Sequence, residues 1–583
     1  MPLATSRRAD GARFAAASLT AAALLAALPV VVALVRHDGA PIGADTPVYV
    51  WWARLVGSAG ASAVAMRPGV PDVTETVARA VGLSELATVA GLGCALVPMV
   101  GLAGGAALRS AGRTGATPLL GLVLTGLFGT YLAAGHLSNA VFAALFLVSI
   151  AFLVDGRPRT LTAAALALGA AGIAHPDFLW LSLAILFGAA ALALVAQRRP
   201  EAVMTAVVGV VGAGVTGVGL LAASTGGVAF DVPTSLDVFL LQTRQFARLH
   251  DLFLERFPKV AGYALWAWLP LAALAYRRLR GHLGRLLVAW SAVTVAGVVA
   301  GLVWQPFPPH RIVAFAFCLP LLAAIGLAEI RAKVPRWATP ISIGVVAVIA
   351  AGAVWLWVQA PRPYSDPSAT PLAAVAPEIG STTGPVVVDL PLDGRATAVQ
   401  VIRAINLLRA AVPGDRVRDV LVRYPAPADG NADAISLWQT NQAQLAAAGP
   451  APEVVAPVGA LAQPVPAAEL LVATLGWLAV CGVAGAGWCV ALGQRGIRLV
   501  ERSVGIGLAG LILASSVADR AGLRLGDRAA AVGVVVAVTA AGAVAAIVAA
   551  SRARRRGAEP PRGATTTRSA HGALPSLDRS GTT

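Results

Sequence analysis

The stretch GADTPVYVWWARLVG (residues 43–57) follows the first long apolar run of the chain, residues 14–35. It sets a lone carboxylate, Asp45, just ahead of Tyr49, Trp51 and Trp52. Asp before TPVYVWWARL is a helix N-cap pattern, with Pro47 tolerated in the first turn. Three aromatics on so short a helix suit a position at a membrane–water interface, where amphipathic rings settle. The stretch therefore reads as the point where the chain leaves its first membrane span, and the rest of the sequence tests that reading.

Of the 583 residues, 57% are hydrophobic and 13% charged, and the mean hydropathy is +0.74. Apolar runs of about 20 residues, the length of a membrane-crossing helix, recur along nearly the whole chain. This is the composition of an α-helical polytopic membrane protein. The formal charge of +16 comes from arginines in short clusters between apolar runs, with only Lys259 and Lys333 as lysines. No basic segment is interleaved with aromatics, so nucleic acid is not expected as a partner, and a positive-inside pattern accounts for the charge. The four cysteines fall inside apolar runs. Neither disulfides nor a cysteine metal site is expected.

Treating each run as a helix predicts about fourteen spans. They cover residues 14–35, 86–107, 118–134, 138–154, 160–174, 177–196, 202–223, 259–276, 285–304, 312–329, 338–358, 467–493, 503–518 and 529–550. The first has no small-residue cleavage site after it and reads as an uncleaved span. With residues 1–13 cytoplasmic, the clusters RSAGR (109–113), DGRPR (155–159), QRR (197–199), YRRLRGHLGR (276–285), RAKVPR (331–336), QRGIRLVER (494–502) and RARRR (552–556) all fall inside. Both termini are then cytoplasmic, and the tail 551–583, rich in Gly, Pro, Ser and Thr, is expected to be disordered.

The outer face receives the loop 36–85, the turn GHLSN (135–139), HPD (175–177), the loop 224–258, WQPFPPHR (304–311) and an insert over 359–466. The insert alternates strand and helix patterns: GPVVVDLP, ATAVQVIRAINLLRAAV, VRDVLVRYP, ISLWQTNQAQLAAAG and PEVVAPV. It is expected to be a small extracytoplasmic α/β domain, between a core over 14–358 and C-terminal spans over 467–550. Asp389 ends its first strand, as a ligand contact or a plain turn residue.

The candidate residues all belong to that outer face. Asp45 is a cap in its plainest role. His136 and Asn139 lie three apart at a helix start and share one face, and Asn139 also suits a cap. His175 precedes Pro176, which pushes it out of helical geometry, and Asp177 suits the N-cap of the next span. Arg311, beside His310, offers a guanidinium fork for phosphate; the plain alternative is a snorkelling span-end arginine. Arg67 precedes a second amphipathic segment, VPDVTETVARAVGLSEL (70–86), expected to be an interfacial helix. Arg244, with Arg248 and His250, has helical spacing suited to a basic interfacial face. His136, His175 and Asp177 are of types that bind zinc or manganese, yet no ligand spacing marks them. No metal site is expected there, and a divalent cation is kept only as an alternative.

Two amphipathic helices between spans one and two resemble the first outer loop of the GT-C glycosyltransferases. The segments GHLSN…AHPDFLW (135–180) and PPHRIVAFAFCLPLLAAIGLA (308–328) are similar to GT-C-like membrane proteins as well. The resemblance covers the architecture of residues 10–360. It implies a GT-C-like core and an essential acid near the start of the first loop, here Asp45. It implies a polyprenyl-phosphate sugar as donor, membrane lipid around the site, and an envelope glycan, glycolipid or protein as acceptor at the outer face of the cell membrane. Several members carry a further acid in the second outer loop, where this chain has His136 and Asn139 instead. A catalytically silent GT-C-like envelope scaffold and a lipid-carrier transporter or flippase are the competing expectations.

Overall fold

The computed structural model describes residues 46–59, 67–116, 137–224, 265–303, 317–334, 344, 379, 381–390, 405–406, 408–410, 412, 420–428, 432–450, 453–455 and 465–558. These residues form fourteen α-helices, one 3-10 turn and three short strands. The helices are α1 (Thr46–Ala59), α2 (Gly69–Val81), α3 (Glu85–Ser110), α4 (Leu137–Asp155), α5 (Pro158–Ala174), α6 (Pro176–Val195) and α7 (Arg199–Ser224). After them come α8 (Leu265–Tyr276), α9 (Gly281–Val303), α10 (Cys318–Lys333), α11 (Ala432–Ala448), α12 (Ala467–Ala491), α13 (Ile497–Arg520) and α14 (Arg528–Ala558). Among the described residues, six helices are long and apolar enough to cross a membrane: α3, α4, α6, α7, α12 and α14. The chain is a helical membrane protein. The predicted spans at 14–35, 118–134 and 338–358 lie outside the described residues.

Helix ends follow from local chemistry. Ser84 caps α3 by accepting from the Ala87 backbone at 3.2 Å. Gly82 ends α2 at φ +79°, a left-handed conformation that glycine adopts without a Cβ penalty. His175 serves two helices at once, closing α5 and opening α6, because Pro176 bars a helical conformation before it. The predicted N-cap, Asp177, instead stands in the first turn of α6, where a negative charge still favours the helix N-terminus.

The bundle is centred on α13, which packs against α12, α2, α5 and α3. Glycines let α12 and α13 meet backbone to backbone. A Cβ on Gly485 would lie 1.8 Å from the Ser503 carbonyl oxygen, and one on Gly507 would lie 1.8 Å from that of Cys481. Phe142, Phe146, Phe178 and Trp290 fill the adjoining core in edge-on and tilted contacts.

The arginine-bearing connectors gather at one end of the bundle. Arg109 grips Glu501 with Nε and Nη2 at 2.9 and 3.0 Å. Arg502 pairs with Asp155, donates to Ser110 at 2.6 Å and covers the Phe152 ring. Arg285 pairs with Glu201, Arg278 with Glu329, and Arg113 donates to the Arg278 carbonyl. The connector 521–527 is different, since the Gly526 backbone abuts Gly57 of α1. Arg520, Arg524 and Arg528 therefore sit at the opposite end, against the expectation that arginine clusters share one end. Arg520 is there because a buried acid on α2 meets it.

Within the insert, β1 (Val386–Asp389), β2 (Val420–Arg423) and β3 (Glu453–Val455) form a parallel sheet of order β2-β1-β3. Valine runs bury both faces of β1, as a sheet covered by helices requires. Asn441 and Trp438 of α11 donate to the carbonyls of Val422 and Tyr424 at 2.6 and 3.2 Å. Asp389 is held by Arg423 of the neighbouring strand through two bonds of 2.6 and 2.8 Å. Asp389 ends β1 as expected, and the cross-strand ion pair holds it there.

Candidate functional site

The end of the bundle opposite the paired arginines carries those predicted site residues that are described. Tyr49 of α1 is its first anchor. Its hydroxyl accepts from the Ser138 backbone N–H at 3.1 Å and lies 2.9 Å from the Ser138 hydroxyl. The helix that starts after Asp45 is thereby fixed to the helix that starts after His136. The aromatics expected at a lipid interface are instead packed inside the protein: Tyr49, Trp51 and Trp52 are each under 10% exposed. Burying these rings against helices gains more than a half-wetted position, and the Tyr49 hydroxyl finds its partner there.

Of the predicted site residues, Arg67, Asn139, His175 and Asp177 are described, and the fold brings them to this one end. Arg67 and Asp177 form an ion pair at 3.3 Å. His175, almost fully buried, stacks on Phe178 with ring centroids 4.1 Å apart. Phe178 meets Phe142 edge-on, one turn beyond the buried Asn139 on α4. Gly69, at the head of α2, lies so close to the Ala174 backbone that a Cβ would come within 3.0 Å of its nitrogen. Asp45, His136, Arg244, His310 and Arg311 lie outside the described residues. Among the described residues, no three His, Cys, Asp or Glu side chains cluster as a metal site would need.

Two further groups of charges, not singled out by sequence, belong to the same end. α2 turns its polar side into the protein, with Asp72 and Thr76 against α13 and Glu75 against Gly57 of α1. Asp72, Thr74, Glu75 and Thr76 are fully buried. Ser516 donates to Asp72 Oδ2 at 2.7 Å, Arg520 Nη1 stands 3.6 Å from the same oxygen, and Thr76 bonds Ser515 at 2.9 Å. Burial, with the like charge of Asp519 added, pushes the Asp72 carboxyl up to about 7, against the opposing pull of Ser516 and Arg520. Burial likewise pushes Glu75 up to about 7, although Arg79 binds it at 2.8 Å. Only one sequence signal pointed this way, the run SSVADR (515–520), which ends an apolar helix with an acid and a base.

The insert closes over α1. Arg54 donates to the Val412 carbonyl at 2.9 Å and to that of Ala410, so an arginine of the first loop satisfies the end of the helical segment around 405–410. Arg409 from that segment lies over the Trp51 ring, 4.5 Å from its centroid. Arg54 also reaches Glu85 of α3 at 3.5 Å. The first loop, the bundle and the insert are thus tied together by named side chains.

No family model matches this chain, and no curated protein does. Among solved structures it is similar to ArnT from Cupriavidus metallidurans bound to undecaprenyl phosphate, at 16% identity and a TM-score of 0.46. That alignment covers 74% of this chain and 89% of the other.

Proposed function

We propose that the chain is a membrane glycosyltransferase of GT-C type, moving a sugar from a polyprenyl-phosphate carrier to an envelope glycan, glycolipid or protein acceptor at the outer face of the cell membrane. The observation that carries this reading is the gathering of Arg67, Asn139, His175 and Asp177, from three separate stretches of sequence, at one end of the bundle. That end is taken as extracytoplasmic because most arginine-bearing connectors lie at the other.

In this reading residues 14–358 are the catalytic core with the first loop over 36–85. Residues 359–466 are an extracytoplasmic unit that binds acceptor, and 467–550 complete the bundle. Asp45, at the head of α1, takes the proton from the acceptor hydroxyl as that oxygen attacks the anomeric carbon. Arg311 and His310 hold the carrier phosphate as it leaves with the bonding electrons. Attack opposite the phosphate inverts the anomeric centre, in keeping with one base and no carboxylate nucleophile. Arg67, oriented by Asp177, together with Asn139, His175, His136 and Arg244, contacts donor or acceptor. The partners are membrane lipid and the lipid-linked donor, and no step calls for a bound metal.

The test is sugar transfer from short-chain polyprenyl-phosphate sugars by the full chain in proteoliposomes. Asp45→Asn should lower the rate by about 10²- to 10⁴-fold with helix content unchanged. Full activity in that variant removes the base role. Carrier lipid crossing the bilayer without any transfer would replace the enzyme by a flippase.

A further inference from the structure

Where the insert meets α1, one guanidinium stands without an anion among the described residues. Arg409, on the helical segment around 405–410, lies over the Trp51 ring with its guanidinium carbon 4.5 Å from the centroid. Trp51 is itself buried, which makes the ring a fixed seat. Nη1 of Arg409 is shut away from water with no hydrogen-bond partner among the described residues, yet the residue as a whole is partly exposed. Asn406 stands three positions earlier and so shares its helix face. Its side chain is buried and makes no hydrogen bond among the described residues.

Neighbouring charges are taken by one another. Arg54, one turn beyond Trp51 on α1, reaches Glu85 at 3.5 Å and gives Nη1 to the carbonyls of Val412 and Ala410. Arg79 holds both Glu75 and Glu85. The surroundings therefore act on the two kinds of arginine in opposite directions. Arg79, with its two carboxylates, is shifted up, whereas burial alone acts on Arg409 and pushes it down to about 10. Arg409 still carries its proton at neutral pH, a desolvated cation whose lost hydration is only partly offset by an aromatic face.

A guanidinium held by its face on a ring, with no counter-ion, has its edge left for a ligand. We propose that Arg409, seated on Trp51 and flanked by Asn406, is an oxyanion site, and that the oxyanion is a carboxylate or phosphate carried by the acceptor. The guanidinium donates a forked pair of hydrogen bonds to the oxyanion, and the Asn406 amide adds another. No covalent bond is made or broken. The source of the anion follows from the place. Trp51 lies five residues into α1, about 8 Å of helix from its start, next to which the transferase reading sets its base, Asp45. In that reading the carrier phosphate already has Arg311 and His310, and the insert that bears Arg409 is given to the acceptor. The acceptor as source thus rests on the transferase reading, while the oxyanion site does not.

The probe is inorganic phosphate, with acetate as its carboxylate counterpart, added to the full chain in zwitterionic lipid nanodiscs against sodium chloride of equal ionic strength. Amide hydrogen exchange over residues 46–59 and 405–412 is the readout. A ligand bound only by the seated form should slow exchange about tenfold at about ten times its half-saturating concentration. Arg409→Gln should abolish the slowing, and Arg409→Lys, a cation without the fork, should weaken it. If Arg409→Gln does not fold, Asn406→Asp carries the test, because a carboxylate beside Arg409 takes the place of the ligand and should also abolish the effect. Exchange indifferent to both anions overturns the site, as does slowing that persists in Arg409→Gln or Asn406→Asp. Polyprenyl phosphate built into the nanodisc fixes the source: if it alone gives the Arg409-dependent slowing, the anion is the carrier's and the acceptor assignment falls. In the transfer assay Arg409→Gln should raise the acceptor KM about tenfold or more and leave the donor KM unchanged. A raised donor KM instead overturns the acceptor assignment. The exchange readout involves no turnover, so a chain that transfers no sugar defeats the transferase reading and leaves the oxyanion site to the phosphate and acetate results.

Discussion

The two ends of the bundle use the same residue types to opposite effect. At the arginine-rich end, Arg109 faces Glu501 and Arg502 faces Asp155, one cation to one anion, with Ser110 taking a remaining donor. At the other end Arg520 stands 3.6 Å from a wholly buried Asp72, and Arg67 meets an Asp177 that is half exposed. Matched buried pairs hold helices together. A wholly buried carboxyl raised to about 7 titrates near neutrality, and an ion pair open to solvent can exchange its partners. The lesson is that the closeness of pairing, more than the number of buried charges, separates the end whose charges are matched one to one from the end that buries Asp72 and leaves Asp177 half exposed.

The largest test of this contrast is at the matched end. Arg502→Met strands a buried Asp155 and should cost about 3–5 kcal/mol, read as a lowered thermal midpoint in detergent. Replacing Asp155 by Leu in the same chain should recover much of that loss, because the cost is that of an unpaired charge. If the single variant is as stable as the parent, the matched end is no clamp.

Next in size is the pH dependence of the end that buries Asp72. The folded value of Asp72 lies above the ordinary 3.8, so the folded chain keeps a proton that the unfolded chain gives up. Its contribution to stability is full below about 4, declines as pH rises to about 7, and is gone above that, at no more than about 1.4 kcal/mol per unit. Denaturation midpoints across that window should fall in the parent, and the fall should be shallower in Asp72→Asn. Glu75 moves in the same sense and accounts for slope that remains.

A smaller effect is expected where α1 meets α4. Tyr49→Phe removes the partner of the Ser138 hydroxyl and backbone N–H, at about 1 kcal/mol. The smallest change in stability belongs to Arg67→Ala, about 0–1 kcal/mol for a partly exposed pair. The same variant should impair sugar transfer, and an unchanged rate would remove Arg67 from the proposed site.

Much of the membrane-embedded fold was legible in the sequence. The runs at 86–107, 138–154, 177–196, 202–223 and 467–493 became α3, α4, α6, α7 and α12 to within a few residues, because apolar length and arginine punctuation are local properties. Pro176 announced the break at His175, and the valine runs announced β1 and β2. What stayed hidden was direction. An amphipathic helix has the same pattern whether its polar side meets water or the serines and charges of another helix, so the sequence of α2 did not show that its polar side is buried. A counting rule for arginines likewise cannot tell one that faces headgroups from one drawn in by a buried acid, and Arg520 was missed for that reason. The approach of Arg67 to Asp177 rests on a contact spanning 110 positions, which no spacing rule encodes.

The bond between Ser516 and Asp72 joins residues 444 positions apart. At roughly 5–20 residues per second of synthesis, the acid-bearing helix of the first loop waits on the order of 20 to 90 s for its partner to be made. For that time its carboxylates must stay in water or in the keeping of another protein. The order of synthesis therefore makes the seating of α2 one of the last events in the chain's assembly, and a chain cut short before α13 would leave the ribosome with its candidate site unmade.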